Sequence, residues 1–548
     1  MDAGPPPQPT LIIRLAEVAL ITAVFWIEGG APAPHVNETY YLVKAQHYWD
    51  PGFCAGNRFL ESADAHETFY WSVGWLAQWV SLPAAAWIGR GLCWSLLAFA
   101  WQRLSWGVAP VRFASVLSAA LMVSLVGQLH FAGEWVVGGV ESKCFAYPLV
   151  MLGLHWIAEN KWNRVWPALG LAGAFHPLVG GWSVLAAGCV WLTEPADSRP
   201  ALRGMAPWIV LGGVLSLPGL WPALRLNAGV SPEVAREAAR IYVFDRLAHH
   251  LAPLSKPGFW ILDRAARHAV MIVLFVVAWQ WLKPRAAAQG LERVCRFAAA
   301  TLLFSAAGLA WETATAGDET LAASLLRYYP FRMADVALPV AVALAAPAVL
   351  VAVDRRTRYT APATVLLCLL PAWHFSSVVA TRLVDPTAPA DRGVLLPDDW
   401  VDVCRWTREN TPPDAVFLGP RSGQSFHWRA GRADVANWKD IPQDAAGIVA
   451  WRRVCRDLFE GVDEAGHWYT FYSLASQGTA KVADNAYRYG ADFVLTERYP
   501  VLQLPVVYGN GSYTVYSAEA ALPASGLRPP QTEPPAIPPP RQTEDTAP

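Results

Sequence analysis

Apolar residues along the first 385 positions gather in eleven runs separated by short polar stretches. They fall at roughly 10–28, 84–102, 112–131, 142–158, 164–176, 177–193, 206–225, 267–283, 294–312, 333–353 and 361–381. A helix that crosses a bilayer needs about 20 mostly apolar residues, so the pattern predicts about eleven spans. The 164–176 run is short and ends in FHPLVGGW, which reads as the tip of a tight helical hairpin over 164–193; a single broken helix is the alternative. TFYWSVGWLAQWV (68–80) reads as a half-buried amphipathic helix. Beyond 395 the pattern changes. DDWVDVCRWTREN (398–410) places Trp400, Val403, Cys404 and Trp406 on one helical side, AVFLGP and ADFVLTE read as short buried strands, and YGNGSYTVYS as a hairpin with an Asn-Gly turn. Helix alternating with strand predicts an α/β domain over 395–520, after a membrane domain at 1–390. The Pro-rich tail, 521–548, reads as disordered.

Composition sharpens this division. Only 16% of residues are charged, against about 25% in ordinary soluble domains. Many of the 28 Trp lie near the ends of apolar runs, as interfacial rings do. A net charge of −1 argues against nucleic acid as a partner. The eight Cys show no CxxC spacing, so no zinc site is expected. The basic segments at 103–112, 159–164, 197–203, 283–296 and 354–358 fall on one side of the predicted spans. The positive-inside rule makes that side the cytoplasm. The N-terminus is then inside, and the C-terminal domain and a long first loop, 29–83, are outside.

The acids and histidines near the membrane collect on the other side. APHVNETYYLVKAQHYWDP (33–51), ESADAHETFYW (61–71), HFAGEWVVGGVESK (130–143), FHP (175–177) and RYYPFR (327–332) all lie there. Ionisable groups beside hydrocarbon are costly unless paired or wet, which points to a polar cavity open to the outer face. Glu38 and Asp64 are candidate catalytic acids, suited to taking an acceptor proton. His66, Glu134, Glu141, Lys143, His176, Arg327 and Arg332 are candidates for binding substrate, the two Arg through bidentate contacts to phosphate. Capping, structural ion pairing and snorkelling are the competing explanations for these residues. FHWRAGRADVANWKDIP (426–442), with Arg429, Arg432, Lys439 and Asp440, either lies over the cavity or docks the domain on the membrane.

NETYYLVKAQHYWDP, FLESADAH, GGVESKCFAYPL, RYYPFR and NTPPDAVFLGP, set in this order of spans and outer domain, resemble a bacterial branch of the GT-C superfamily of membrane glycosyltransferases. The resemblance implies a GT-C-like polytopic α-helical fold in a bacterial inner membrane. It implies transfer of a sugar from a polyprenyl-phosphate donor to a glycan or protein acceptor. The superfamily carries paired acids in its first outer loop. Here Asn37-Glu38 stands at that place, leaving Glu38 as the acid and a divalent metal as an open question. No WWDYG-like motif is present. A transporter or flippase of a lipid-linked glycan, and a non-catalytic scaffold, are the rival classes.

Overall fold

The computed structural model describes residues 10–282, 289–352 and 360–519, so the Pro-rich tail lies outside the described residues. Each apolar run falls on a helix. These are Leu11–Gly29, Leu82–Val108, Ala114–Leu129, Ser142–Ala158, Trp162–Phe175, Pro177–Leu192, Leu202–Arg225, Gly258–Leu282, Gln289–Ala314, Ala334–Ala352 and Thr360–Val384. Among the described residues, four helical stretches are long and apolar enough to cross a membrane: Leu82–Val108, Leu202–Arg225, Gln289–Ala314 and Leu367–Val384. Ala114–Leu129, Pro177–Leu192 and Ala334–Ala348 are apolar but shorter.

Small residues set how tightly these helices pack. A Cβ on Gly170 would lie 2.0 Å from the Gly212 carbonyl oxygen, and one on Gly219 would lie 2.4 Å from those of Gly173 and Ala174. Glycine on both partners therefore lets Trp162–Phe175 and Leu202–Arg225 meet backbone to backbone, as helices do in lipid. The chain breaks at His176, and a Cβ on Gly180 would lie 2.3 Å from the Gly173 nitrogen. The arms on either side of His176 thus fold against each other as a hairpin.

The long first loop, 29–83, is folded rather than draped. It holds the helix Glu38–Trp49, a turn of helix at Arg58–Glu61, and Glu67–Ser72. The long amphipathic helix expected over 68–80 is not continuous. It passes into a 3₁₀ turn at Gly74–Gln78, where a Cβ on Gly74 would lie 2.5 Å from that of Ala45. Close approach to the Glu38–Trp49 helix decides the geometry there.

The C-terminal part is an α/β domain. Strands β1 (Val416–Leu418), β2 (Ala433–Asp434), β5 (Phe493–Glu497), β6 (Val506–Gly509) and β7 (Tyr513–Ser517) form one sheet in the order β2-β1-β5-β7-β6. β1 pairs parallel with β2 and β5; β7 runs antiparallel to β5 and β6. β3 (Glu460–Val462) and β4 (Trp468–Thr470) make a separate antiparallel pair. The helix Pro397–Asn410 buries Trp400, Val403 and Cys404, while Trp406 stacks on Tyr508 at 4.7 Å. Gly490, at φ +68°, ends the helix Thr479–Tyr489 in the left-handed conformation that glycine adopts without strain.

Candidate functional site

The loop 130–141, between Ala114–Leu129 and Ser142–Ala158, has almost no regular structure. It is held from behind: the buried Asp335 carboxylate accepts backbone N–H bonds from Phe131, Ala132 and Glu134. The loop thus delivers Glu134 and Glu141 to the mouth of the helix that carries Lys143. Lys143 Nζ lies 2.9 Å from Glu134 and 3.2 Å from Glu141, and 4.1 Å from the centre of the Trp135 ring. Arg332 reaches the other Glu134 oxygen at 2.9 Å. Tyr147 donates to Glu134 at 3.0 Å, and Asn37 donates to Glu141 at 2.9 Å.

Apart from Tyr147, these groups line a cavity of about 170 Å³, with Tyr40, Tyr41, His176, Tyr242, Arg246, His250, Tyr329, Lys439 and Gln443. The C-terminal domain closes it: Lys439 Nζ donates to Asn37 at 2.9 Å, and Arg246 donates to the Trp438 carbonyl. Four cations, Lys143, Arg246, Arg332 and Lys439, face two carboxylates, so the cavity carries a positive excess. Burial would raise the Glu134 carboxyl, but Arg332 and Lys143 outweigh it and hold it below its usual range. Burial, then neighbouring Arg332, pushes the His176 imidazole well below its usual value, so it is uncharged near neutrality. Its Nε2 lies 3.0 Å from Arg332 Nη1, a contact an uncharged ring makes by accepting. Burial, then the Arg246 charge, brings Lys439 down to about 8. Glu141 Oε1 makes no hydrogen bond among the described residues and lies 3.2 Å from the Lys143 ammonium.

Of the residues singled out from sequence, Glu134, Glu141, Lys143, His176 and Arg332 come together here. The others do not line the cavity. Glu38 has no exposed surface: its carboxylate takes Arg90 Nε at 2.6 Å, Arg90 Nη2 at 2.7 Å, and the backbone N–H groups of His35 and Val140. The expected base is therefore committed to a buried ion pair that ties the first loop to Leu82–Val108. Asp64 stands one layer behind the cavity, 3.4 Å from Lys44 and 2.8 Å from His66. Burial would raise it, yet Lys44 and His66 hold it low. His66 reaches the lining through Gln443 and through the His176 ring, 5.4 Å away. Arg327 turns to the Tyr328 hydroxyl at 2.7 Å. In the 426–442 stretch Lys439 enters the cavity. Arg429 pairs with Asp391, Arg432 donates to backbone carbonyls, and Asp440 faces His427.

Asn37, Arg246 and His250 were not among the expected site residues. Asn37 was hidden by its acidic neighbour, and His250 by its place in a loop with no motif of its own. The donor set does not fit a divalent ion: the Lys143 ammonium already occupies the space between the two glutamates. Among the described residues, no three His, Cys, Asp or Glu side chains are grouped as metal ligands.

Residues 398–458 match a family model described as a domain of unknown function, DUF6798. No curated protein matches the chain. Among solved structures, the chain is similar to the oligosaccharyltransferase of Archaeoglobus fulgidus in complex with Zn and sulfate, at 12% identity and a TM-score of 0.45, covering 88% of this chain and 67% of that one. It is also similar to oligosaccharyltransferase AglB from Archaeoglobus fulgidus in complex with an inhibitory peptide and a dolichol-phosphate, at 10% identity and a TM-score of 0.44, covering 88% and 69%.

Proposed function

We propose that this protein is a membrane glycosyltransferase of GT-C-like architecture that takes a sugar from a polyprenyl-phosphate-linked donor at the extracytoplasmic face. In this reading the eleven apolar helices cross the bilayer, residues 1–390 form the membrane domain and 395–520 the outer domain. The observation that carries the reading is the cation-rich cavity, built at helix ends and covered by Lys439 of the outer domain. Phosphate is the ligand class that four cations and a ring of hydroxyl and amide donors suit. The tyrosines along the same wall offer apolar faces to a sugar ring.

The chemistry follows from these placements. An acceptor hydroxyl attacks the anomeric carbon of the donor, the carbon–oxygen bond to phosphate breaks, and the phosphate leaves with the electron pair. Arg332, Arg246 and Lys439 offset the charge that builds on the leaving oxygen. Glu141, whose Oε1 makes no hydrogen bond and lies 3.2 Å from the Lys143 ammonium, takes the hydroxyl proton. Lys143 positions both glutamates. Asp64 and His66 act through His176 and Gln443 as positioning residues.

The test uses full-length protein in vesicles with a radiolabelled polyprenyl-phosphate sugar and a mixture of acceptors. Donor consumption with release of polyprenyl phosphate, lost in Glu141→Gln and Arg332→Ala, is the expected result. Movement of intact donor between leaflets without cleavage would replace the transferase with a flippase. No donor chemistry and no donor movement, in folded protein, would leave a scaffold.

A further inference from the structure

The helices that build the candidate site carry a second polar chamber at their opposite ends. Leu82–Val108 holds Arg90 near the site and Arg103 far from it. Ser142–Ala158 holds Lys143 at one end and His155 twelve residues on, about 18 Å along the axis. Trp162–Phe175 begins beside Arg164 and ends at His176. Between the far ends lies a cavity of about 500 Å³, lined by Arg14, Arg103, Trp106, Trp156, Lys161 and Arg164, among others.

This chamber is built. Buried Glu17 accepts from the Gln102 side-chain amide at 2.9 Å and from the Phe113 backbone N–H at 2.7 Å. It thereby fixes the turn between Leu82–Val108 and Ala114–Leu129, where Phe113 sits at φ +62°. Gly107 lets that helix end approach His155; a Cβ there would lie 3.0 Å from Nδ1. The wall holds four cations, Arg14, Arg103, Lys161 and Arg164, against Glu159 alone. Glu159 is itself engaged, 2.6 Å from Lys161 and 3.7 Å from His155. Neither Arg103 nor Arg164 makes an ion pair within 4.0 Å among the described residues, although Glu159 feels the Arg103 charge; Arg103 lies 5.2 Å from the Phe99 ring centre. Trp106 and Trp156 are half-buried beside them, the place indoles take at headgroup depth.

We infer that this chamber binds the phosphate headgroup of an anionic glycerophospholipid from the leaflet opposite the candidate site. An anion supplies the charge that Arg103 and Arg164 lack, and a lipid keeps its acyl chains along the exposed Leu92, Leu96 and Phe99 of the same helix. Basic groups at the cytoplasmic surface are drawn to anionic lipid in this way. The inference does not depend on the transferase reading.

The test is native mass spectrometry of the full chain released from nanodiscs of phosphatidylcholine with a minor fraction of phosphatidylglycerol. The wild type is compared with Arg103→Ala/Arg164→Ala and Arg103→Lys/Arg164→Lys. The wild type should retain phosphatidylglycerol about 30-fold more strongly than the alanine variant, the factor expected when two cations leave an anionic surface. The lysine variant should recover most of the binding, which separates charge from misfolding. Equal retention by wild type and alanine variant would overturn the assignment. So would displacement of the lipid by millimolar inorganic phosphate, which would mark a site for a soluble anion.

Discussion

Glu38→Gln should unfold the protein more easily rather than disarm it chemically. The wild-type carboxylate receives two guanidinium contacts, 2.6 and 2.7 Å long, and two backbone N–H groups, with both side chains fully buried. Glutamine keeps the shape but removes the charge and turns an N–H toward the Arg90 fork. Arg90 retains the Ala31 carbonyl at 2.6 Å and the Trp87 ring at 4.5 Å, neither of which neutralises it. Breaking one side of a buried pair costs about 3–5 kcal/mol, because the other charge stays behind. Replacing both sides, as in Glu38→Gln/Arg90→Met, should restore much of that, and the double-mutant cycle gives the coupling directly. Cys93 and Cys144 are buried and unpaired, so the rate of their labelling by a thiol dye during heating in detergent reports unfolding. A Glu38→Gln protein that melts like the wild type yet has no donor turnover would refute the structural reading and return Glu38 to the chemistry.

The remaining predictions address the cavity and the C-terminal domain. Lys143→Met should leave Glu134 and Glu141 facing each other and open a place for a divalent cation; Mn²⁺ electron paramagnetic resonance should show binding to the variant and none to wild type. Lys439 loses its proton above about pH 8, so its contribution to binding a phosphate donor is present below that pH and fades above it. Lys439→Arg should remove that fall from a donor-binding titration, and an unchanged profile would count against Lys439 as a phosphate contact. His427 is opposed by burial but raised to about 10 by Asp434 and Asp440. Its stabilisation is complete below its unfolded value of about 6.5 and is lost as pH rises toward 10. Thermal unfolding of wild type should show that decline, and His427→Gln should be less stable at pH 6 with a flatter profile.

Local pattern alone determined much of this protein. Each of the eleven apolar runs marked a helix, because a segment beside hydrocarbon must satisfy its backbone internally whatever packs against it. The Asn-Gly hairpin was equally legible: the Asn510 side chain accepts from the backbone N–H groups of Ser512 and Tyr513, a local bond that selects its residue within a few positions. Which polar groups share a cavity was decided only by the tertiary structure. Asn37 and Glu38 are neighbours in sequence, yet Asn37 meets Glu141 and Lys439 while Glu38 turns to Arg90. Asn37 stands at the N-cap of the helix that Glu38 begins, their side chains point in different directions, and nothing nearby in the chain says which direction holds the cation. Lys439 and Asn37 are 402 positions apart; hydrogen bonds form at angstrom range in space, a distance that sequence separation does not encode.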